Sequence, residues 1–458
     1  MCGINALISN NNIIYDLYES LYHLQHRGQD GFGISYLNNG KLDIIKYKGL
    51  LSTVDINDKL SVINTTMGIG HVRYPTKGSN TINECQPFLK EGLYYNISLV
   101  HNGQIWITDK LINYFKYYNI EFPNDITSDS IYLLLFLSYH INKDKILNYH
   151  KIKEIIIELQ DLFEGSYNII CIVEGYGLIC FKDPHSIRPL ILGQKDNSYI
   201  ISSESISITS IDYKIIDDIY NNELLIFNNS KLQILKINNK QSLFKPCIFE
   251  WIYLAREESI IYEVNVYQSR LKMGEYLGNK IKNIVNIDDI DLVIPVPDTS
   301  KPASLQLSKV LNKPYYEAIT KNRYINRTFI MDSQLKRTKN IKRKLNVVKE
   351  IVFNKNILIV DDSIVRGNTM KHIIDLLKNN NVNKIFVAST SPEIINENKY
   401  GIDIPSREDL ISYNKTNNIL EKYLGIDKII FLDIEDLKKS IRHFNPKIKD
   451  FELSIYES

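Results

Sequence analysis

The sequence predicts a mixed chain of two parts, with stacked antiparallel sheets and helices in the first half and a doubly wound parallel sheet in the second. Three observations predict it. At 458 residues the chain exceeds what one hydrophobic core fills. Up to about residue 235 its apolar stretches are short and broken by turns, whereas beyond it continuous apolar strands alternate with helices. Between these textures Asn228 to Lys245 is polar and lysine-rich, which places the boundary there and gives units 2–235 and 236–458.

In chain order, the first unit is expected to hold a helix from Ile14 to Gln25, strands at Gly68 to Val72 and Tyr94 to Val100, and a helix from Ser128 to His140. Strands at Tyr167 to Val173, Gly177 to Phe181 and Tyr199 to Ser202 follow. In the second unit Leu292 to Val296 reads as a buried strand before a helix from about Pro302. Asn356 to Val360 precedes a helix from about Thr369 to Asn379, and Lys384 to Ala388 is a third strand.

Composition narrows the function. The chain is 44% hydrophobic and 24% charged, with a formal net charge of +2, so no global field draws it to nucleic acid or membrane. No nucleic-acid module is found. The five cysteines, 2, 85, 171, 180 and 247, form no CxxC pair, which argues against a zinc ribbon or a disulfide scaffold. No apolar run reaches the roughly 18 residues of a membrane span, and a cytoplasmic location is expected.

Cys2 follows the initiator methionine directly. Removal of Met1 would put a thiol nucleophile and an α-amino base of pKa about 8 on one residue. Four polar clusters follow it: His26-Arg27-Gly28-Gln29-Asp30-Gly31, His71-Val72-Arg73-Tyr74-Pro75-Thr76, His101-Asn102-Gly103 and Thr127-Ser128-Asp129. Each ends an apolar segment, where loops carry chemistry. Singly they read as ion pairs, a hairpin turn or a helix cap. Together they meet the needs of thiol hydrolysis of an amino-acid amide. Arg73 could grip an α-carboxylate, Asp129 could meet an ammonium, and Asn102 with the Gly103 N–H could stabilise an oxyanion.

In the second half, Ile357 to Thr369 delivers Asp361 and Asp362 at the carboxyl end of a strand, and the loop Ser363-Ile364-Val365-Arg366-Gly367 then opens a helix at Asn368-Thr369. Backbone N–H groups and the helix dipole make such a loop a phosphate cradle. The two acids could accept ribose hydroxyls or hold Mg²⁺ through oxygen. Between this loop and Ile294 to Ser300 lies a basic stretch that includes Lys321, Tyr324 and Arg327, then six basic residues within 336–344. It reads either as a solvated face or as a flap closing over pyrophosphate.

The ordered motifs MCGI, QHRGQD, GIGHVRYPTKG, HNG and TSD resemble the glutaminase domain of the N-terminal-nucleophile (class II) amidotransferases, and Ile357 to Thr369 resembles the signature of type I phosphoribosyltransferases for phosphoribosylpyrophosphate (PRPP). Joined in one chain they resemble the amidophosphoribosyltransferase family. That resemblance implies an αββα sandwich before the phosphoribosyltransferase sheet, and the first committed step of purine synthesis. It implies Cys2, Asn102 and Gly103 as catalytic, and Arg73, Asp129, Arg27 and Tyr74 as glutamine-binding. PRPP would be held by residues 361–369 with Lys321, Tyr324 and Arg327, and Mg²⁺ by Thr299, Asp361 and Asp362. It further implies purine nucleotide inhibitors, a homotetramer or homodimer, and an ammonia path near Lys321, Tyr324 and Pro405.

With no cysteine after Cys247, no iron-sulfur cluster is expected, and the chain resembles the branch without leader or cluster. It departs from the family pattern at Glu257-Glu258, Asn326 and Asn368. Two alternatives are a PRPP-binding regulator and an ammonia-dependent transferase with a silent glutaminase.

Overall fold

The computed structural model describes residues 2–74, 81–123, 126–228, 231–237, 243–322, 345–402, 404 and 406–457. The first half forms two antiparallel sheets. The seven-stranded sheet runs in the spatial order Lys214–Asp218, Ile191–Lys195, Ser198–Ser202, Gly3–Ile8, Met67–Arg73, Gly31–Asn38, Lys41–Lys48. The six-stranded sheet runs Lys231–Lys236, Glu223–Asn228, Gly177–Lys182, Glu164–Val173, Ile97–Trp106, Phe88–Lys90.

Strand alternation explains the layering, because successive side chains face opposite sides of a sheet. Ile4, Ala6, Ile8 and Ile69 meet Val100, Ile170, Ile172 and Leu225 in one core between the sheets. On the outer face of the first sheet, Leu7, Ile34 and Ile200 pack with Leu17 and Leu21 of the helix Ile14–Tyr22. On the outer face of the second, Leu99, Ile169 and Ile226 pack with the helices Asp109–Tyr117, Ser130–Ile141 and Tyr149–Leu162. The order is helix, sheet, sheet, helix.

The second half has a parallel sheet of four strands, Leu292–Pro295, Asn356–Asp361, Lys384–Ser389 and Lys428–Phe431. On the far side of the first strand a parallel bridge joins Val293 to Tyr315. Counting the bridged Tyr315 as an outer edge beside the four strands, the order across the sheet is Tyr315, Leu292–Pro295, Asn356–Asp361, Lys384–Ser389, Lys428–Phe431, so the order reverses at that edge. Both faces are covered, which is why the strands are apolar throughout. Val293, Leu358, Val360 and Phe386 meet the helices Val266–Lys282, Lys301–Leu311 and Ile434–Arg442. Leu292, Ile294, Ile357, Ile359 and Val387 meet Asn368–Asn379 and Asn417–Leu424.

Among the boundaries that differ from expectation, three stand near the sites or the junction of the halves. The helix at Ile14 ends at Tyr22, and a separate 3₁₀ turn covers Gln25–Arg27. The strand expected at Tyr94 to Val100 instead spans Ile97–Trp106, so Asn102-Gly103 lies within a strand and pairs with Asn168 and Tyr167. The polar stretch after Asn228 begins with the edge strand Lys231–Lys236, where an exposed strand tolerates lysine. Among the described residues no helix is long and apolar enough to cross a membrane.

Candidate active sites

Cys2 directly precedes the strand Gly3–Ile8, whose antiparallel partner ends at Arg73, with Gly3 opposite Val72. The half-buried Cys2 thiol lies 3.8 Å from the carbonyl of Tyr74. Gly28 seats the turn before Asp30 on this strand, since a Cβ there would fall 2.5 Å from Val72 O. Asp30 then holds Arg73 twice. Its N–H donates to Arg73 O at 3.0 Å, and its Oδ2 accepts from Arg73 Nη1 at 3.1 Å. Both side chains are buried, so the guanidinium is oriented before any substrate arrives.

Asn102 is fully buried on the facing sheet, and its Oδ1 has no hydrogen-bond partner among the described residues. Its Nδ2 lies 3.5 Å from Ser203 Oγ, which also accepts from Ile4 N at 3.0 Å. One hydroxyl thus joins the strand behind Cys2 to the residue expected to bind the oxyanion. Ser203 was not singled out in the sequence. Gly103 has no space for a side chain, because a Cβ would lie 2.0 Å from Ser166 O.

Asp129 is half-buried at the start of the helix Ser130–Ile141, and its Oδ2 accepts from Ile105 N at 2.6 Å. His101 is held between Ser130 Oγ at 2.8 Å and Ser166 O at 3.3 Å. Burial lowers its pKa despite nearby Asp129, which favours a neutral imidazole.

Arg27 lies in a buried charged network. Its Nε and Nη2 each lie 2.5 Å from a carboxylate, Glu204 and Glu250 respectively, and all three side chains are about 1% exposed or less. These two contacts occupy Nε and Nη2, while Nη1 has no hydrogen-bond partner among the described residues. Glu204 also meets His26 at 2.7 Å and accepts from Arg256 N at 3.0 Å and Ser259 Oγ at 2.8 Å. Burial raises its pKa, but His26 and Arg27 more than offset that and hold it well below the usual carboxylate range. Glu250 also meets Arg188 at 3.4 Å. The departures Glu257 and Glu258 are partly exposed and spare the contacts of Arg256 and Ser259 with Glu204.

In the second half, the strand order reverses at Leu292–Pro295, which has the Val293–Tyr315 bridge on one side and Asn356–Asp361 on the other. In open parallel sheets the crevice beyond such a reversal receives ligands. Thr299 follows the first strand in a turn, and a cis peptide joins Pro297 to Asp298. Lys321 Nζ donates to Asp298 Oδ2 at 2.7 Å, which brings Lys321 to this loop. After the second strand, Asp361 and Asp362 are buried, and Gly367 turns the chain into the helix Asn368–Asn379.

Gly367 has φ +74°, and a Cβ would lie 2.2 Å from Ile411 Cδ1. Ser363 Oγ donates to Asp362 Oδ1 at 2.7 Å. Arg366, Asn368 and Thr369 are exposed, whereas Ile364 is buried in the core on one face of the sheet and Val365 packs against the core on the other, so these two offer backbone only. Tyr324, Arg327, Asn326, Pro405 and the basic run 336–344 lie outside the described residues.

Burial and the neighbouring Asp362 push the Asp361 carboxyl well up, so a cation between the two acids would relieve their repulsion. Among the described residues no three His, Cys, Asp or Glu side chains converge to hold a metal by themselves. A donor set of two carboxylates fits Mg²⁺, which keeps waters or substrate phosphates in its shell.

A thiol-bearing αββα sandwich joined to a parallel sheet with an acidic phosphate loop defines a glutamine-dependent pentosyltransferase. Residues 267–392 match the phosphoribosyl transferase domain model. Over its whole length the chain is 37% identical to the amidophosphoribosyltransferase of Pasteurella multocida and 36% identical to that of Escherichia coli, covering 92% of each. The solved glutamine PRPP amidotransferase of Bacillus subtilis, complexed with ADP and GMP, superposes with a TM-score of 0.85 at 28% identity, covering 100% of this chain and 95% of that one. The chain belongs to the amidophosphoribosyltransferase family.

Proposed function

We propose that the chain converts glutamine, PRPP and water to 5-phosphoribosylamine, glutamate and pyrophosphate, with residues 2–235 performing glutamine hydrolysis and 236–458 the transfer. With Met1 removed, the Cys2 α-amine takes the thiol proton and Sγ attacks the glutamine amide carbon. Arg73, fixed by Asp30, grips the substrate carboxylate, and Asp129 meets its ammonium. Tyr74 covers the site beside Cys2. Asn102 Nδ2 and the Gly103 N–H stabilise the oxyanion, the C–N bond breaks, and ammonia leaves. Water then attacks the thioester and releases glutamate. Arg27, held by Glu204 and Glu250 through Nε and Nη2, completes the glutamine-binding set, its Nη1 having no partner among the described residues.

Ammonia attacks C1 of the ribose with inversion as the bond to pyrophosphate breaks. Asp361 and Asp362 accept the ribose hydroxyls, and Ser363, Arg366, Asn368, Thr369 and the 363–367 backbone hold the 5-phosphate. Lys321, with Tyr324 and Arg327, covers the pyrophosphate. Mg²⁺, entering with PRPP, would be held by Asp361, Asp362 and Thr299 and would neutralise charge on the leaving group.

The nucleotides in the Bacillus structure support purine nucleotides as inhibitors of this chain. A cytoplasmic homodimer or homotetramer completes the reading. The observation that carries the glutaminase assignment is Ser203 Oγ, which receives both Ile4 N and Asn102 Nδ2. Cys2→Ala tests it. Glutamine-supported amination should vanish while ammonia-supported amination persists, and retained glutamine turnover would refute the nucleophile.

A further inference from the structure

The strand that presents Asn102 and Gly103 is gripped by a segment of the other half. Trp106 Nε1 donates to Lys399 O at 2.6 Å, and its ring lies 5.5 Å from that of Tyr400. Ser166 Oγ donates to Tyr400 O at 2.9 Å while accepting from Gln104 N at 3.2 Å. Arg188 Nη2 donates to the same Tyr400 carbonyl at 2.5 Å. Gly401, at φ +93°, sits against the Gly103–Gln104 peptide, the one that follows the proposed oxyanion donor, since a Cβ there would lie 3.2 Å from Gly103 O. Asn398 Oδ1 shapes the segment from within by accepting from Tyr400 N and Ile402 N, each at 2.9 Å.

The same segment leads back to the acidic loop. Thr390 N donates to Asp361 O at 3.0 Å and Ser391 N to Asp362 O at 2.8 Å. Farther on, Ile395 N donates to Ile455 O at 2.9 Å, and Ser391 Oγ meets Tyr456 OH at 2.9 Å, so the chain between is pinned. Eight residues separate Ser391 from Tyr400 and both ends of that stretch are bonded, one to the PRPP loop and one to the oxyanion strand.

We propose that Lys399–Gly401 is a positioning element for glutamine hydrolysis: through Trp106 and Ser166 it sets the Gly103 peptide in place and ties it to the backbone of Asp361 and Asp362. This rests on the assignment of Gly103 as an oxyanion donor. A single hydroxyl does the coupling. Ser166 Oγ has one proton to donate, which goes to Tyr400 O, and one of its two lone pairs accepts from Gln104 N and orients it. A shift of Tyr400 therefore moves the peptide beside Gly103. Displacements of about 1 Å at an oriented site cost on the order of 100-fold in rate.

The test uses the full chain with Ser166→Ala and Trp106→Phe, the latter keeping the ring while removing the N–H. Rates are measured with glutamine and with ammonia, PRPP being present throughout. Glutamine-supported kcat should fall on the order of 10- to 100-fold in Ser166→Ala. In Trp106→Phe it should fall about fivefold, the loss expected of one hydrogen bond. KM for glutamine and the ammonia-supported rate should stay within about twofold, because the interaction acts in the transition state. Wild-type glutamine kcat in both variants overturns the proposal, as does an equal loss with glutamine and ammonia, which marks general destabilisation. Cys2→Ala runs alongside: glutamine turnover retained there removes the site assignment itself, a failure distinct from that of the clamp.

Discussion

At the scale of single residues, the site depends on groups that hold other groups. Asn102 contributes one amide N–H to the proposed oxyanion hole, and Asn102→Ala should lower glutamine-supported kcat by about 10²- to 10³-fold while sparing ammonia-supported turnover. Steady-state rates with the two nitrogen donors check this. Glu204 sets a pH limit. Its folded pKa lies below its unfolded value of about 4.5, so the stability it contributes is present above that pH and is lost as pH falls through the folded pKa. Asp218 works oppositely. Burial raises it to about 7, so the folded chain holds a proton that the unfolded chain has released, and stability falls as pH rises from about 4 to 7. Asp218→Asn should remove that slope and stabilise the chain at pH 8, as urea titrations at several pH values would reveal. An unchanged slope would contradict the burial argument.

At the scale of elements, the sequence showed the residues whose chemistry is local and hid those whose partners are remote. Cys2, Arg73, Asn102, Asp129 and the Asp361–Thr369 loop stand in short, ordered motifs, so their grouping was legible. Ser203, Glu204, Glu250 and Ser166 were not, because an isolated serine or glutamate carries no mark of a partner up to 234 positions away. The strand through Asn102-Gly103 was cut short for a physical reason: alternation stops where polar residues enter the sandwich, yet pairing with residues 164–168 continues. The sequence allowed Arg27 an ion pair, but only tertiary structure supplies its two carboxylates, Glu204 and Glu250. The alternation of the parallel strands was plain, whereas their spatial order needed the Val293–Tyr315 bridge. Gly367 offers an element-scale test. Gly367→Ala adds a strained φ and a contact with Ile411, and should raise KM for PRPP more than KM for glutamine in initial-rate assays.

At the scale of the whole molecule, the halves meet through a charged interior. Glu250 of the second half answers Arg27 and Arg188 of the first, and Lys182 reaches Tyr262 OH at 2.7 Å. Removing one partner of such a buried network leaves the others uncompensated, so Glu250→Gln should cost about 3–5 kcal/mol in denaturant unfolding. A loss below about 1 kcal/mol would place the pairing among surface bridges in its worth. The network and the Tyr400 contact together join the wall behind Cys2 to the wall behind Asp361, so the two half-reactions should run as one. The most direct measurement is the release of glutamate and pyrophosphate by the purified protein with glutamine and Mg²⁺, with and without PRPP. The account predicts equal release of both products, with glutamate release dependent on PRPP. Glutamate release indifferent to PRPP, with no pyrophosphate formed, would contradict it.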